Sequence, residues 1–195
     1  MTETMPLTSL LYLPLLGAIA LLAIPRERNR AHWAIAIGTS LLTLIPCIAI
    51  IRDFRNHIAD MQFVETSALL ETLGMVGVLG VDGISLWLVA LTVVLIPVVL
   101  IGSIGTISYR VRDFAALVLL IEAATIGALC TSDLLVLFVF WQLMLIPTYL
   151  LIKVWGGDDS KAATTKFVMF TGTGSALLLI GILLVICIRS TVIPK

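Results

Sequence analysis

Six times along the chain a run of about 20 residues passes with almost no charged side chain, and a helix of that length matches the hydrocarbon thickness of a bilayer. The runs lie near 7–24, 31–51, 82–105, 114–131, 133–153 and 164–189. A backbone in lipid must pair its own polar groups, and none of these runs alternates as a barrel strand would, so all six are expected to be helices. The expected fold class is an all-α integral membrane protein, with about six transmembrane helices forming a single membrane domain over 1–195. Composition agrees: 60% of residues are hydrophobic and 12% charged, with a mean hydropathy of +1.15. Short loops leave no room for a soluble domain, and a formal net charge of zero suggests no nucleic-acid partner. The lipid bilayer is the expected surrounding.

Between the runs, 52–81 is the one sizeable loop, and its mixed pattern with Gly74, Gly77 and Gly80 fits either a surface-lying segment or a short hairpin. The junction "CTSDLL" is very tight, and Asp133 there is an expected N-cap for the following helix. The opening "MTETMP" has no Lys or Arg before the first apolar run, whereas Arg26, Arg28 and Arg30 follow it. That order favours a retained helix over a cleaved signal peptide. With the N-terminus outside, the inner segments hold Arg26, Arg28, Arg30, Arg110, Arg112, Lys153, Lys161 and Lys166, and the outer ones Arg52, Arg55, Arg189 and Lys195. The excess falls on the inner side, as the positive-inside rule requires, and six spans bring the C-terminus outside as well.

Cys47, Cys130 and Cys187 stand singly in apolar runs, with no C-x-x-C spacing, and are expected to be buried and inert. His32 and His57 fall near span ends on opposite sides, so no metal site is expected. "TGTGSA" at 171–176 imitates half of a dinucleotide fingerprint without its third glycine or its strand. Its small residues read better as a surface that lets another helix approach closely, as do the pairs Ala123/Gly127 and Ala124/Ala128.

Two polar groups fall inside spans. Glu122, in "LLIEAATIG", is the one acid placed well within a run, and an intramembrane carboxyl defaults to a functional reading. The alternative is a neutral acid hydrogen-bonded across a helix contact. Gln142 lies in "LFVFWQLMLIPTYLLIKVWGG", five residues before Pro147. That proline cannot donate to the carbonyl of Leu143, so a helix break or kink is expected there. An amide beside it can line a water chain but has no proton to exchange near neutral pH.

This last segment resembles the fifth-helix signature of the antiporter-like M subunits of bacterial NADH:quinone oxidoreductase, respiratory complex I. The resemblance extends through "LGVDGISLWLVALTVVLIPVVLI" at 79–101, "LLIEAATIGALCTSDLL" at 119–135, "TTKFVMFTGTGSALLLIGILL" at 164–184 and "QFVE" at 62–65. The D subunit of multi-subunit cation/proton antiporters is similar but fits less well. The resemblance implies a place in the membrane arm of complex I, beside other membrane-arm subunits, in a bacterial inner membrane. It also implies two inverted helix bundles moving protons through a helix-five glutamate and a helix-seven lysine, with no redox cofactor.

In this sequence Gln142 follows Trp141 where that family keeps the helix-five glutamate. The chain stops at Lys195, before any counterpart of helix seven. The expectation is therefore a truncated M-type subunit, structural or non-pumping by itself, with no catalysis by this chain alone. One half of a split proton-translocating subunit, or a membrane scaffold or assembly protein, are the alternatives. Glu122, Gln142 and Lys166 are the proton-path candidates. No catalytic residue, cofactor or metal ligand is assigned.

Overall fold

The computed structural model describes residues 6–55, 60–66 and 78–192. In chain order its elements are α1 (Pro6–Ala23), α2 (Asn29–Asp53), β1 (Gln62–Thr66), β2 (Val78–Val81), α3 (Gly83–Ser103), α4 (Val111–Cys130), α5 (Leu134–Trp155) and α6 (Ser160–Val192). Five of the helices are long and apolar enough to cross a membrane, and Leu7–Ala23 of α1 is a shorter apolar helix. Its 18 residues rise about 27 Å, close to the hydrocarbon thickness. Gly74, Gly77, His57 and Lys195 lie outside the described residues.

Three of the helices, α1, α3 and α5, start where a side chain takes open amides, whereas α2 and α4 have no side-chain cap. Asp82 accepts from the amides of Ile84 (2.9 Å) and Ser85 (2.6 Å), and Ser85 Oγ accepts from the Asp82 amide (2.9 Å), a reciprocal capping box. Asp133 caps α5 as expected, accepting from Leu135 (2.7 Å) and Val136 (3.3 Å). The cap of α1 is not local. Glu65 of β1 accepts from the amides of Leu7 (3.2 Å) and Thr8 (2.8 Å) and from the Thr8 hydroxyl (2.7 Å). A carboxylate is well placed there, because the N-terminus of a helix carries partial positive charge.

The expected loop 52–81 is shorter than drawn: Arg52 and Asp53 belong to the last turn of α2. Beyond it β1 and β2 pair antiparallel, with Gln62 opposite Val81 and Glu65 opposite Leu79. A lone bridge from Leu79 to Thr131 joins this pair to the α4–α5 junction. Leu79 and Val81 are fully buried among Leu7, Leu10, Leu86 and Cys130.

Successive helices alternate in direction. The connections 24–28, 104–110 and 156–159 meet at one end, where Arg26 lies 3.7 Å from Asp113 and Trp155 Nε1 donates to the Tyr109 carbonyl (2.9 Å). This is the arginine end; the strands, the start of α1 and Thr131 mark the hairpin end. Helix α4 sits at the centre and packs on α1, α2, α3 and α5, while α6 packs chiefly on α5.

Two expectations are corrected. Pro147 does not break its helix: α5 runs unbroken from Leu134 to Trp155 with Pro147 buried inside it. Packing from neighbouring helices lets a membrane helix carry a proline; one residue on, the Thr148 hydroxyl donates back to the Met144 carbonyl (2.7 Å). Cys187 is exposed, unlike Cys47 and Cys130, because the outer face of α6 has no covering element among the described residues.

Glu65→Ala should lower the unfolding free energy in detergent by about 1–2 kcal/mol, the usual worth of a cap, and Glu65→Gln should fall between; urea titration followed by circular dichroism measures it. A second expectation concerns pH. The Ser85 amide holds the Asp82 carboxyl below its ordinary range against burial, which pushes the other way, with lesser help from the Ser85 hydroxyl and the Ile84 amide. The folded value is the lower one, so this capping stability is complete above the unfolded carboxylate value and is lost as pH falls through the folded value. Thermal melts across that acid range should lose this slope in Asp82→Asn.

Candidate functional site

Glu122 sits on a stripe of α4 made by Ala115, Leu119, Glu122 and Ile126, spaced at three and four residues, so all four point the same way. Each is buried, and Glu122 is 0% exposed. Ala115 and Leu119 pack with Ala36 of α2, Ile96 and Leu100 of α3, and Ala18 and Leu21 of α1. Ile126 continues the stripe into the cluster of Cys47, Val93 and Cys130. The carboxyl therefore faces the interior of the α1–α4 bundle. Neither of its oxygens has a hydrogen-bond partner among the described residues. A buried carboxyl without partners is costly, and its position is held by the packing around it.

Helix α2 turns a second polar stripe inward. His32, Ala36, Ser40, Thr43 and Cys47 are buried along it. Helices α2 and α4 run in parallel: the rings of Trp33 and Phe114 lie 6.1 Å apart near the arginine end, and Cys47 and Cys130 share the cluster nearer the hairpin end. This register brings Ser40 and Thr43 to the depth of Glu122. Their hydroxyls donate within α2, Ser40 to the Ile37 carbonyl (3.1 Å) and Thr43 to the Thr39 carbonyl (3.0 Å), which leaves their oxygens free to accept. Both ring nitrogens of His32 are buried and unpartnered. His32 sits in the first turn of α2, near the span end as expected, and is buried there.

Gln142 lies on α5, half-buried, with its side-chain oxygen buried and accepting no bond. The crossing of α4 and α5 is tight. A Cβ added at Gly127 would collide with the Phe140 ring, and the Thr125 hydroxyl, which also donates to the Ile121 carbonyl (2.8 Å), lies 3.1 Å from Met144 Sδ. The small-residue surface expected of α4 is used here, whereas at Gly172 and Gly174 an added Cβ would meet nothing within 4 Å. In this antiparallel register Gln142 is level with Ile126, one helical turn or about 6 Å along the axis from the level of Glu122. The two lie at neighbouring depths on adjacent helices without a bond between them. Lys166 is exposed on α6 and is brought to neither.

Sequence reasoning singled out Glu122 and Gln142 but missed Ser40, Thr43 and His32, although their spacing along α2 was readable. It also missed Glu65, whose partner is 58 residues away. Among the described residues no group of three side chains could hold a metal ion.

Residues 131–193 match the family described as the NADH:quinone oxidoreductase/Mrp antiporter transmembrane region. The chain is 34% identical over 185 residues to NADH-quinone oxidoreductase subunit M of Rickettsia felis, covering 92% of this chain and 38% of that one. It is 36% identical over 181 residues to NADH-ubiquinone oxidoreductase chain 4 of Marchantia polymorpha, covering 92% and 36%. Against the same-named chain of Arabidopsis thaliana it is 37% identical over 182 residues, covering 92% and 37%. The chain thus spans well under half the length of these relatives. A solved archaeal respiratory membrane complex, the membrane-bound sulfane sulfur reductase, has a chain of like fold: TM-score 0.66 at 17% identity, over 91% of this chain and 36% of that one.

Gly127→Leu should destabilise the protein by about 1–3 kcal/mol, the common cost of overpacking. Phe140→Ala in the same chain should recover part of the loss, and thermal unfolding of single and double variants in detergent reads the coupling.

Proposed function

We propose, from the premise that this multi-pass membrane chain resembles the N-terminal portion of antiporter-like M subunits, that it is a membrane-arm subunit of NADH:quinone oxidoreductase with no proton station at Gln142. The alignment with M subunits and their plant counterparts over 92% of the chain carries this reading. Gln142 lies within the matched stretch 131–193, where the resemblance implies a glutamate. An amide keeps the volume and hydrogen bonding of that acid but cannot change charge, so this position supports structure. Partners are other membrane-arm subunits. Large apolar side chains left exposed on α5 and α6, among them Ile146, Phe170 and Leu177, give them surface to pack on.

The membrane is a bacterial inner membrane with both termini outside. Supporting this, Arg26, Arg28, Arg30, Arg110, Arg112, Lys153 and Lys161 gather at the arginine end, against Arg52 and Arg55 at the other among the described side chains.

A second reading has its own observation. Glu122 is a fully buried carboxyl with both oxygens free, at the depth of two hydroxyls that can still accept. That is the arrangement of a group able to take up and release a proton along a polar column, with Glu122 rather than position 142 as the station.

Affinity purification of the tagged chain from native membranes, with its companions identified, tests the first reading. Other membrane-arm subunits of NADH:quinone oxidoreductase should co-elute, and recovery of the chain alone would refute it. Within such a complex, Gln142→Leu should leave the ratio of protons moved to NADH oxidised unchanged, since no titrating group is lost. Glu122→Gln separates the two readings: a lowered ratio makes Glu122 a station, and an unaltered one removes that role.

A further inference from the structure

A cavity of about 470 Å³ opens between α1, α4 and α5 at the arginine end, away from the Glu122 stripe. Its chemistry changes along its length. Toward the bundle centre it is lined by Leu15, Ala18, Leu117, Leu120 and Leu150, and at its mouth by Arg26, Arg110, Arg112 and Asp113. Ile19 and Leu22, at its flank, are each 56% exposed, so the groove opens sideways along the helices and into the bilayer.

The mouth is cationic. Three guanidiniums surround one carboxylate: Arg110 at 2.7 Å, Arg112 at 3.2 Å and Arg26 at 3.7 Å from Asp113. Arg112 is largely committed, since it also donates to the Leu22 carbonyl at the end of α1 (3.4 Å). Arg26, with its side chain 63% exposed, and Arg110, at 40%, keep free donors. Arg110 is held in a left-handed backbone conformation, φ 52° and ψ 43°, which is unfavourable for a residue with a Cβ. Such strain persists where surrounding contacts enforce it and clusters at ligand clamps. The level is that of a membrane interface: Trp155 bonds the Tyr109 carbonyl, its ring meets the edge of Phe114 at 5.4 Å, and Tyr109 is exposed.

We propose that this groove is a binding site for an anionic phospholipid, one acyl chain lying in the apolar cavity and the phosphate headgroup on Arg26 and Arg110. An excess of fixed positive charge over a dry slot matches a molecule with a negative head and an oily tail. A zwitterionic lipid carries its own cation to the same place and loses that match. A free phosphate would use the guanidiniums and leave the slot empty. The site does not depend on the function proposed above.

The purified full chain, stripped of lipid in detergent, is titrated with phosphatidylglycerol, phosphatidylcholine or inorganic phosphate, and read by native mass spectrometry and thermal unfolding. Phosphatidylglycerol should be retained and raise the melting temperature, and neither of the other two should do so to a comparable extent. Arg26→Gln with Arg110→Gln should weaken retention by about thirtyfold, from the usual worth of two basic residues facing an anionic headgroup. Arg26→Gln alone, at an exposed position, should show part of that loss with the fold intact. Ala18→Phe, which fills the slot and spares the arginines, should abolish retention. Equal retention of the two lipids, indifference to these substitutions, or an effect of Arg30→Gln as large as that of Arg26→Gln would overturn the proposal. Stabilisation by inorganic phosphate alone would do so too, because it needs no slot.

Discussion

Helices in lipid gain little from hiding apolar surface from one another, because the lipid tails are equally apolar, so their association rests on how closely their backbones can come together. Helix α4 meets that constraint for the whole molecule. Its Ala115, Ala116, Ala123, Ala124 and Gly127 give it a thin profile on several faces, and four other helices pack around it. The Phe140 ring occupies the space that Gly127 leaves. A thin central helix also explains how a glutamate can be fully enclosed: every direction around Glu122 is filled by a neighbouring rod.

The enclosed polar groups are distributed with a pattern. Ser40 and Thr43 return their hydroxyl protons to their own helix, a common way for such residues to live in lipid, and present only acceptor oxygens to the interior. Glu122 and His32 have no partner at all among the described residues. The starts of α1, α3 and α5 are satisfied, where Glu65, Asp82 and Asp133 take open amides, whereas α2 and α4 start without a side-chain cap. Gln142, at the α4–α5 seam, has one buried oxygen unspent.

Much of this was legible in the residues. Helix positions follow from apolar length, and Asp133 was readable as a cap because it precedes an apolar run after a tight turn. Glu122 stood out because a carboxyl in an apolar run has no ordinary explanation. The inward stripe of α2 was harder, since serine and threonine are common in membrane helices and only burial separates a working hydroxyl from an incidental one. Pro147 does remove one backbone donor, yet the helix runs through it unbroken, because one lost hydrogen bond is outweighed by what adjoining helices supply. Cys187 misled because an apolar run reveals nothing about which face is covered. Glu65 and the approach of Arg26 to Asp113 depend on pairings between distant segments, and no local pattern announces them.

The clamp between Glu65 and the first turn of α1 has a consequence for biogenesis. While the chain emerges from the ribosome, α1 enters the membrane with its leading amides unpaired, and their acceptor is made 57 or 58 residues later. Until then those amides lack this acceptor, and nothing from the hairpin ties the level of α1 to the rest of the bundle. Synthesis of β1 supplies that tie, so a late-made strand fixes the start of an early-made helix against the hairpin.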